Sequence, residues 1–324
     1  MIVFALNTLL ILILALPLAI LMDLVWGEPP ARFHPVVWMG QYLNGLAPKI
    51  AARTATLSRL SNMAYFFKGA VAWTMGALMV GFIAVLLQVG LLQLPWWCAA
   101  PLLAGLLKPM LSWRMLLTET MMVELALGES LDAGRQQLSR LVSRDVQALD
   151  AMQVREAAIE SLAENLNDSV IAPIFWFVCL GLPGAAIYRF ANTADAMWGY
   201  RGMRSGHYWE YSGKWAARVD DVMSWLPARV TAMLLLAASP KRAWKVAQQL
   251  PSQARLTPSP NGGWPMAAMA LLLGVQLHKP GIYALNVSGR AAQVTDMFQA
   301  QYLCKKAVVA GISIGLFAIY FVVV

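Results

Sequence analysis

Residues 160–176, ESLAENLNDSVIAPIFW, set Glu160, Glu164 and Asp168 at intervals of four directly before an apolar run. On a continuous helix these carboxylates share one face, flanked by Asn165 and Asn167. Like charges at that spacing repel unless water, basic side chains or a metal lies among them. Two readings stay open: an ordinary hydrated helix end, or a magnesium site made of oxygen ligands and retained waters. The abrupt switch to VIAPIFW weighs toward the metal, as does negative charge gathered at a helix C-terminus, where the macrodipole disfavours it.

A second polar island spans residues 188–230. Asn192 and Asp195 lie three apart, Arg201 and Arg204 lie three apart, and Asp220 and Asp221 follow Arg218, all among aromatics. Carboxylates mixed with guanidinium groups suit a phosphate-bearing substrate and its metal. A solvated amphipathic surface accounts equally for Arg204 and Lys214. Adjacent acids cannot share a helix face, so only one of Asp220 and Asp221 serves as a ligand. His34, within GEPPARFHPVVWMG at 27–40, is suited to binding phosphate, to moving a proton near neutral pH, or to a structural role. The chain has no HExxH, no GxxxxGK[ST] loop and no GxSxG elbow, so any ATP chemistry uses another architecture.

The elements that must position these residues are membrane-like. Of 324 residues, 59% are hydrophobic and 13% charged, about half the charged share of a soluble domain. Apolar segments at 2–22, 65–92, 96–117 and 307–324 predict four spans, the third with Lys108 and Arg114 snorkelling at the interface. Residues 170–186 and 226–238 are weaker runs broken by proline and, in the first, glycine; they predict re-entrant, interfacial or core segments. Met1 is followed by no basic residue, so the first segment reads as a retained anchor.

The expected fold is therefore all-α and polytopic, with about four spans and a large, mostly helical cytoplasmic segment. Residues 1–117 form a membrane region with a cytoplasmic loop at 23–64, residues 118–305 a mostly cytoplasmic catalytic region, and residues 306–324 the last span. Arg32, Lys49, Arg53 and Arg59 after the first span, and Arg135, Arg140, Arg144 and Arg155 after the third, place both segments in the cytoplasm and both termini outside. Glu119, Glu124, Asp132 and Arg135 fit solvated helix faces, and residues 250–263 read as one long loop. Cys98, Cys179 and Cys304 have no metal-like spacing and read as buried free thiols. The net charge of +8 favours anionic lipid or phosphorylated and carboxylated substrates; with no compact basic block, nucleic acid is not an expected partner.

Five stretches in order resemble the adenosylcobinamide-phosphate synthase family of cobalamin biosynthesis. They are MDLVWGEPPARFHPVVWMG, VSRDVQALD, AIESLAENLNDSVIAPIFWFVCLGLPGAAIYRFANTADAMWGYR, KWAARVDDVMSWLPARVTA and SPNGGWPMAAMALLLGV. The resemblance implies a multi-pass enzyme of the cell inner membrane with its catalytic region on the cytoplasmic face. It implies that ATP and Mg2+ serve to join a propionate carboxylate of adenosylcobyric acid to (R)-1-amino-2-propanol or its O-2-phosphate. The implied partners are those corrinoid and amino-alcohol substrates and membrane lipid, with self-association or other cobalamin-pathway membrane proteins left open. The family-like positions are His34, Arg144, Asp145, Glu160, Glu164, Asn165, Asp168, Asn192, Asp195, Arg201, Arg218, Asp220, Asp221 and Asn261. On that basis Glu160, Glu164, Asp168 and Asp195 are expected to hold the metal, and Arg144, Asp145, Asn165, Asn192 and Asn261 the nucleotide. Arg201 and Arg218 would neutralise phosphate or carboxylate, Asp220 or Asp221 would deprotonate the ammonium, and His34 joins the catalytic set. Ser143, Ser169 and LHKPGIYALN at 277–286 depart from the more glycine-rich family pattern.

Two other classes compete. An intramembrane prenyl or phosphate transferase would also pair Asn/Asp clusters such as NLND and NTAD on helices. A transporter or assembly subunit would need paired inverted halves or no concentrated polar islands at all, and the chain has neither property.

Overall fold

The structure is a computed structural model that describes residues 2–54 and 58–323. Residues 55–57 of the expected 23–64 loop, and Val324 of the expected last span, lie outside the described residues. Its helices are α1 (Ile2–Trp26), α2 (Pro35–Ile50), α3 (Arg59–Leu92), α4 (Trp96–Leu107), α5 (Trp113–Glu129) and α6 (Leu131–Leu138). They continue as α7 (Ala151–Leu166), α8 (Ala172–Trp198), α9 (Lys214–Ala238), α10 (Pro240–Ala254), α11 (Gly263–Leu273) and α12 (Val294–Val323). Two small antiparallel hairpins interrupt the helical pattern: β1 (Met203–Arg204) with β2 (His207–Tyr208), and β3 (Leu277–Lys279) with β4 (Tyr283–Leu285). Each turns through a left-handed glycine, Gly206 at φ +75° and Gly281 at φ +72°, a conformation that glycine adopts at little cost.

Among the described residues, five helical stretches are long and apolar enough to cross a membrane: Leu6–Trp26, Leu60–Leu92, Ala151–Trp198, Lys214–Ala238 and Val294–Phe321. The protein is a multi-pass helical membrane protein with a substantial helical part besides. The weak runs at 170–186 and 226–238 thus belong to helices of spanning length. The expected span at 96–117 does not form. Helix α4 has 12 residues, about 18 Å, and stops at Lys108-Pro109 before a new helix begins at Trp113. Lys108 does not snorkel either, being only 6% exposed, and its ammonium pairs with Asp23 at 3.5 Å and Glu28 at 3.0 Å.

The chain folds as two compact units. The first comprises Met1–Leu111, Pro173–Met223 and Gly315–Val324. Here α1 packs along α4, and Asn7 closes the α3–α4 turn: its amide donates to the Leu94 carbonyl at 3.0 Å and accepts from the Trp96 N–H at 2.9 Å. Helix α8 breaks at Gly181, which has φ +68°. The break frees backbone groups that an apolar environment cannot hydrate. Gln88, a polar residue in the apolar second half of α3, accepts the Leu182 N–H at 2.6 Å, and its amide occupies the space a side chain at 181 would need.

The second unit comprises Ser112–Ala172 and Ser224–Ile314. Helix α7 is its centre, packing against α5, α6, α11 and strand β3. A capping box sets its start: Asp150 accepts the Gln153 N–H at 2.8 Å and Gln153 accepts the Asp150 N–H at 3.0 Å. A π-helical turn at Asn167–Ile171 then carries the chain from α7 into α8. Glu124, expected on a solvated face, is buried and makes a bidentate pair with Arg155, both bonds 2.6 Å. The expected loop at 250–263 is shorter, because α10 runs through Pro251 to Ala254 and α11 starts at Gly263.

Gln88→Leu leaves the Leu182 N–H without its acceptor and should cost about 1–3 kcal/mol, read as a lower thermal midpoint in detergent. Gly181→Ala, which adds a clash and left-handed strain, should lower the midpoint further. Unchanged midpoints in both variants would show that the break does not depend on this contact.

Candidate functional site

The polar face of α7 is where the second unit gathers its charges. Glu160 is 5% exposed and Glu164 is half-buried; four residues before Glu160 stands Glu156, 3% exposed. Glu164 has the carboxylates of Asp168 and Glu160 within electrostatic range, together with the cations Lys279 and Arg144. The helix therefore continues far enough, through the π-helical turn, to bring Asp168 to the other acids. Asn167 orients that carboxylate: its amide N–H donates to Asp168 Oδ1 at 2.8 Å while its carbonyl accepts the Thr231 hydroxyl at 3.0 Å.

Three segments close over this face. From the 139–150 connection, Arg144 reaches Glu160 with Nη2 3.5 Å from Oε1, and none of its guanidinium nitrogens makes a hydrogen bond. From the β3–β4 hairpin, the His278 N–H bonds Glu156, and the cross-strand pair Lys279 and Tyr283 lies near Glu160. Burial, and then the Glu160 and Glu164 charges, push the Tyr283 phenol up, so its hydroxyl keeps its proton beside Glu160 and donates to Met266 Sδ at 3.7 Å. From the 255–262 loop, Gly262 packs on Glu164 so closely that an added Cβ would lie 3.0 Å from Oε1.

That loop is internally built. Ser259 Oγ accepts the N–H groups of Asn261 at 3.2 Å and Gly262 at 3.1 Å, and buried Asn261 accepts Arg229 Nη1 at 2.9 Å. The Arg229 guanidinium lies between the rings of Trp225 and Trp264, 4.4 and 4.7 Å from their centroids. Beside it opens a groove of about 620 Å³ lined by Trp225, Arg229, Arg255, Thr257, Ser259 and Trp264. Two expected nucleotide contacts are engaged locally: Asn165 donates to Ser161 O at 3.0 Å, and exposed Asp145 accepts the Gln147 N–H at 2.9 Å.

The remaining sequence-derived residues belong to the first unit. Asn192 and Asp195 are half-buried near the end of α8, where the Asp195 carboxylate packs against Gly199 and leaves no room for a side chain there. Arg201 lies in electrostatic range of half-buried Asp221, its neighbour Asp220 is likewise half-buried, and Arg218 is exposed. His34 is the N-cap of α2: Nδ1 accepts the Val36 N–H at 3.2 Å and Nε2 donates to Glu28 at 3.1 Å. Both ring nitrogens are thus engaged in a cluster with Glu28, Lys108 and Asp23. Burial alone would raise the Glu28 carboxyl, but the His34 and Lys108 hydrogen bonds outweigh it and hold the group below its ordinary value.

Sequence reasoning missed Glu156, Tyr283, Arg229 and the orienting role of Asn167. Glu156 was within reach, since it continues the four-residue series backward; Tyr283 and Arg229 become site residues only through contacts distant in sequence. Among the described residues, no three His, Cys, Asp or Glu side chains are grouped to hold a metal ion by themselves. Magnesium commonly takes one or two carboxylates and completes its shell with substrate phosphates and water, and the Glu164–Asp168 pair of hard oxygen donors fits that demand.

The model of the family described as "CobD/Cbib protein" matches residues 16–308. The chain is 39% identical over 272 residues to the "Probable cobalamin biosynthesis protein CobD" of Methanothermobacter thermautotrophicus, covering 83% of this chain and 85% of that protein. It is 38% identical over 308 residues to the protein of the same description from Pyrococcus abyssi, covering 93% and 94%. With the "Cobalamin biosynthesis protein CobD" of Chromobacterium violaceum it shares 40% identity over 276 residues, covering 82% and 80%. No solved structure matches the chain.

The depressed Glu28 carboxyl makes the His34 cluster pH-sensitive in a defined direction. Its contribution is fully present above the unfolded value of 4.5 and is lost as pH falls through the lower folded value. Thermal midpoints followed from about pH 6 down to about pH 3 should fall less steeply in Glu28→Gln than in the parent. Parallel falls in the two proteins would remove Glu28 as a source.

Proposed function

The chain belongs to the CobD/Cbib protein family, and from that membership we propose that it acts in cobalamin biosynthesis as an ATP-dependent ligase. The reaction joins a propionate carboxylate of adenosylcobyric acid to (R)-1-amino-2-propanol or its O-2-phosphate. The observation that carries this reading is the enclosed acidic face of α7 beside Arg144, a cation with no hydrogen-bonding partner of its own. Such a pairing of oxygen ligands with a guanidinium that is ion-paired to Glu160 yet keeps its N–H groups unbonded suits a metal-bound nucleotide phosphate.

In the proposed chemistry, a propionate oxygen attacks the γ-phosphorus of ATP, releasing ADP and forming an acyl phosphate. The free amine then attacks the acyl carbon, the amide C–N bond forms, phosphate leaves, and the amine's surplus proton passes to a base. Glu164 and Asp168 would hold magnesium, which when bound offsets the negative charge of the nucleotide phosphates. Glu160, beside Tyr283 and paired with Arg144, fixes the direction of that guanidinium. The groove beside Arg229 suits the nucleoside, with two indole rings and the hydroxyls of Thr257 and Ser259 along it.

The assignments of Asp195 to oxygen ligation and of Asn192 to the nucleotide, both in the first unit, rest on the family resemblance alone. Arg201 and Arg218 take the anionic groups of the substrates. Asp221, half-buried beside Arg201, is favoured over Asp220 as the base that frees the amine. With both nitrogens engaged, His34 is a positioning residue at the start of α2. The arginines of the 131–155 region favour a cytoplasmic location for this chemistry, in the cell inner membrane.

Purified protein given adenosylcobyric acid, Mg-ATP and each amine in turn should yield an amide detectable by mass. Glu164→Gln and Asp168→Asn should each lose about a hundredfold or more in rate, and Asn167→Ala about 10–100-fold, because it only orients Asp168. Absence of product with every amine while the acid binds would overturn the activity. Full rates in folded Glu164→Gln, Asp168→Asn, Asp195→Asn and Asp221→Asn proteins would overturn the residue assignment.

A further inference from the structure

Beyond the chemistry of α7, the second unit carries cations with no assigned work. No Asp or Glu occurs between Asp221 and Asp296, a stretch holding seven Lys and Arg residues. Helix α9 ends its apolar stretch at Ala238, whose carbonyl accepts Lys306 Nζ at 3.1 Å. Lys305 and Lys306 stand twelve and thirteen positions into α12, and only beyond them is that helix free of charge. Past this contact Gly311 of α12 packs on α9, where an added Cβ would lie 3.2 Å from Leu234. The apolar stretches of the two helices therefore run side by side away from the Lys306–Ala238 contact, which marks the edge of the apolar layer.

Helix α10 begins two residues past that edge. It buries Val246, Leu250 and Ala254 and leaves Lys241, Trp244 and Lys245 exposed, Trp244 by 77%. Arg242 is engaged differently, donating to the Leu272 carbonyl at 2.6 Å. On α12, Tyr302 is 59% exposed with Lys306 Nζ 5.2 Å from its ring centre. Tryptophan and tyrosine settle at the headgroup level of a bilayer, and lysines there attract anionic headgroups. We propose that Lys241, Trp244 and Lys245 of α10, with Lys305 of α12, form a docking surface for anionic phospholipid headgroups. The surface would hold α10 against the membrane where α9 and α12 enter it. Helix α10 itself carries three cations and no acid, so its own charge favours phosphate.

The test offers the full-length protein in detergent equal amounts of phosphatidylglycerol and phosphatidylcholine and counts retained lipid by native mass spectrometry. The parent should retain phosphatidylglycerol preferentially. Lysine removal should weaken that affinity about fivefold for each residue, so Lys245→Gln alone shows a partial loss and Lys241→Gln with Lys245→Gln a near-complete one. Phosphatidylcholine retention should not change in either variant. Equal retention of the two lipids by the parent overturns the proposal, as does an undiminished preference in the variants. Both lysines are exposed, and an unchanged thermal midpoint would confirm that folding is preserved; Lys245→Gln keeps the test open should the double variant fail to purify.

Discussion

The polar face of α7 buries Glu156 and Glu160 and half-buries Glu164, so its enclosed carboxylates need partners from other segments. Burying a charge without one costs several kcal/mol, and breaking a buried pair leaves that cost exposed. Glu156 takes its partner from the β3 backbone, Glu160 from Arg144 with Tyr283 beside it, and Glu164 lies against Gly262 near Lys279. Three connections that would otherwise be surface loops are thereby drawn onto one helix. The capping box at Asp150 fixes which residues of α7 face them.

The same requirement explains polar residues set in apolar helices of the first unit. Asn7 bonds the backbone at the α3–α4 turn, and Gln88 bonds the backbone freed at Gly181. Each supplies a hydrogen bond that lipid cannot provide. Lys108 belongs with them: two acids hold it inside, where a snorkelling side chain would have kept its charge in water.

Several site candidates also hold their own surroundings in place. Asn165 bonds Ser161, Asp145 bonds the Gln147 N–H, and His34 bonds Val36 and Glu28. Arg144 is the contrasting case, a largely enclosed guanidinium whose nitrogens make no hydrogen bonds.

Read alone, the sequence determined what depends on composition and short spacing. A membrane protein followed from its apolar content, the shared face of Glu160, Glu164 and Asp168 from helical periodicity, and the family from motifs in order. It did not determine which apolar runs are long enough to span, because α4 ends at Lys108-Pro109 while the weaker runs gain length from neighbouring helical residues. Nor did it place Tyr283 near Glu160, or Glu124 in a buried pair with Arg155. Such contacts join residues far apart in the chain, and periodicity reports only on neighbours within a turn or two. Tertiary packing alone decides which charges leave water, and so which of them must find one another.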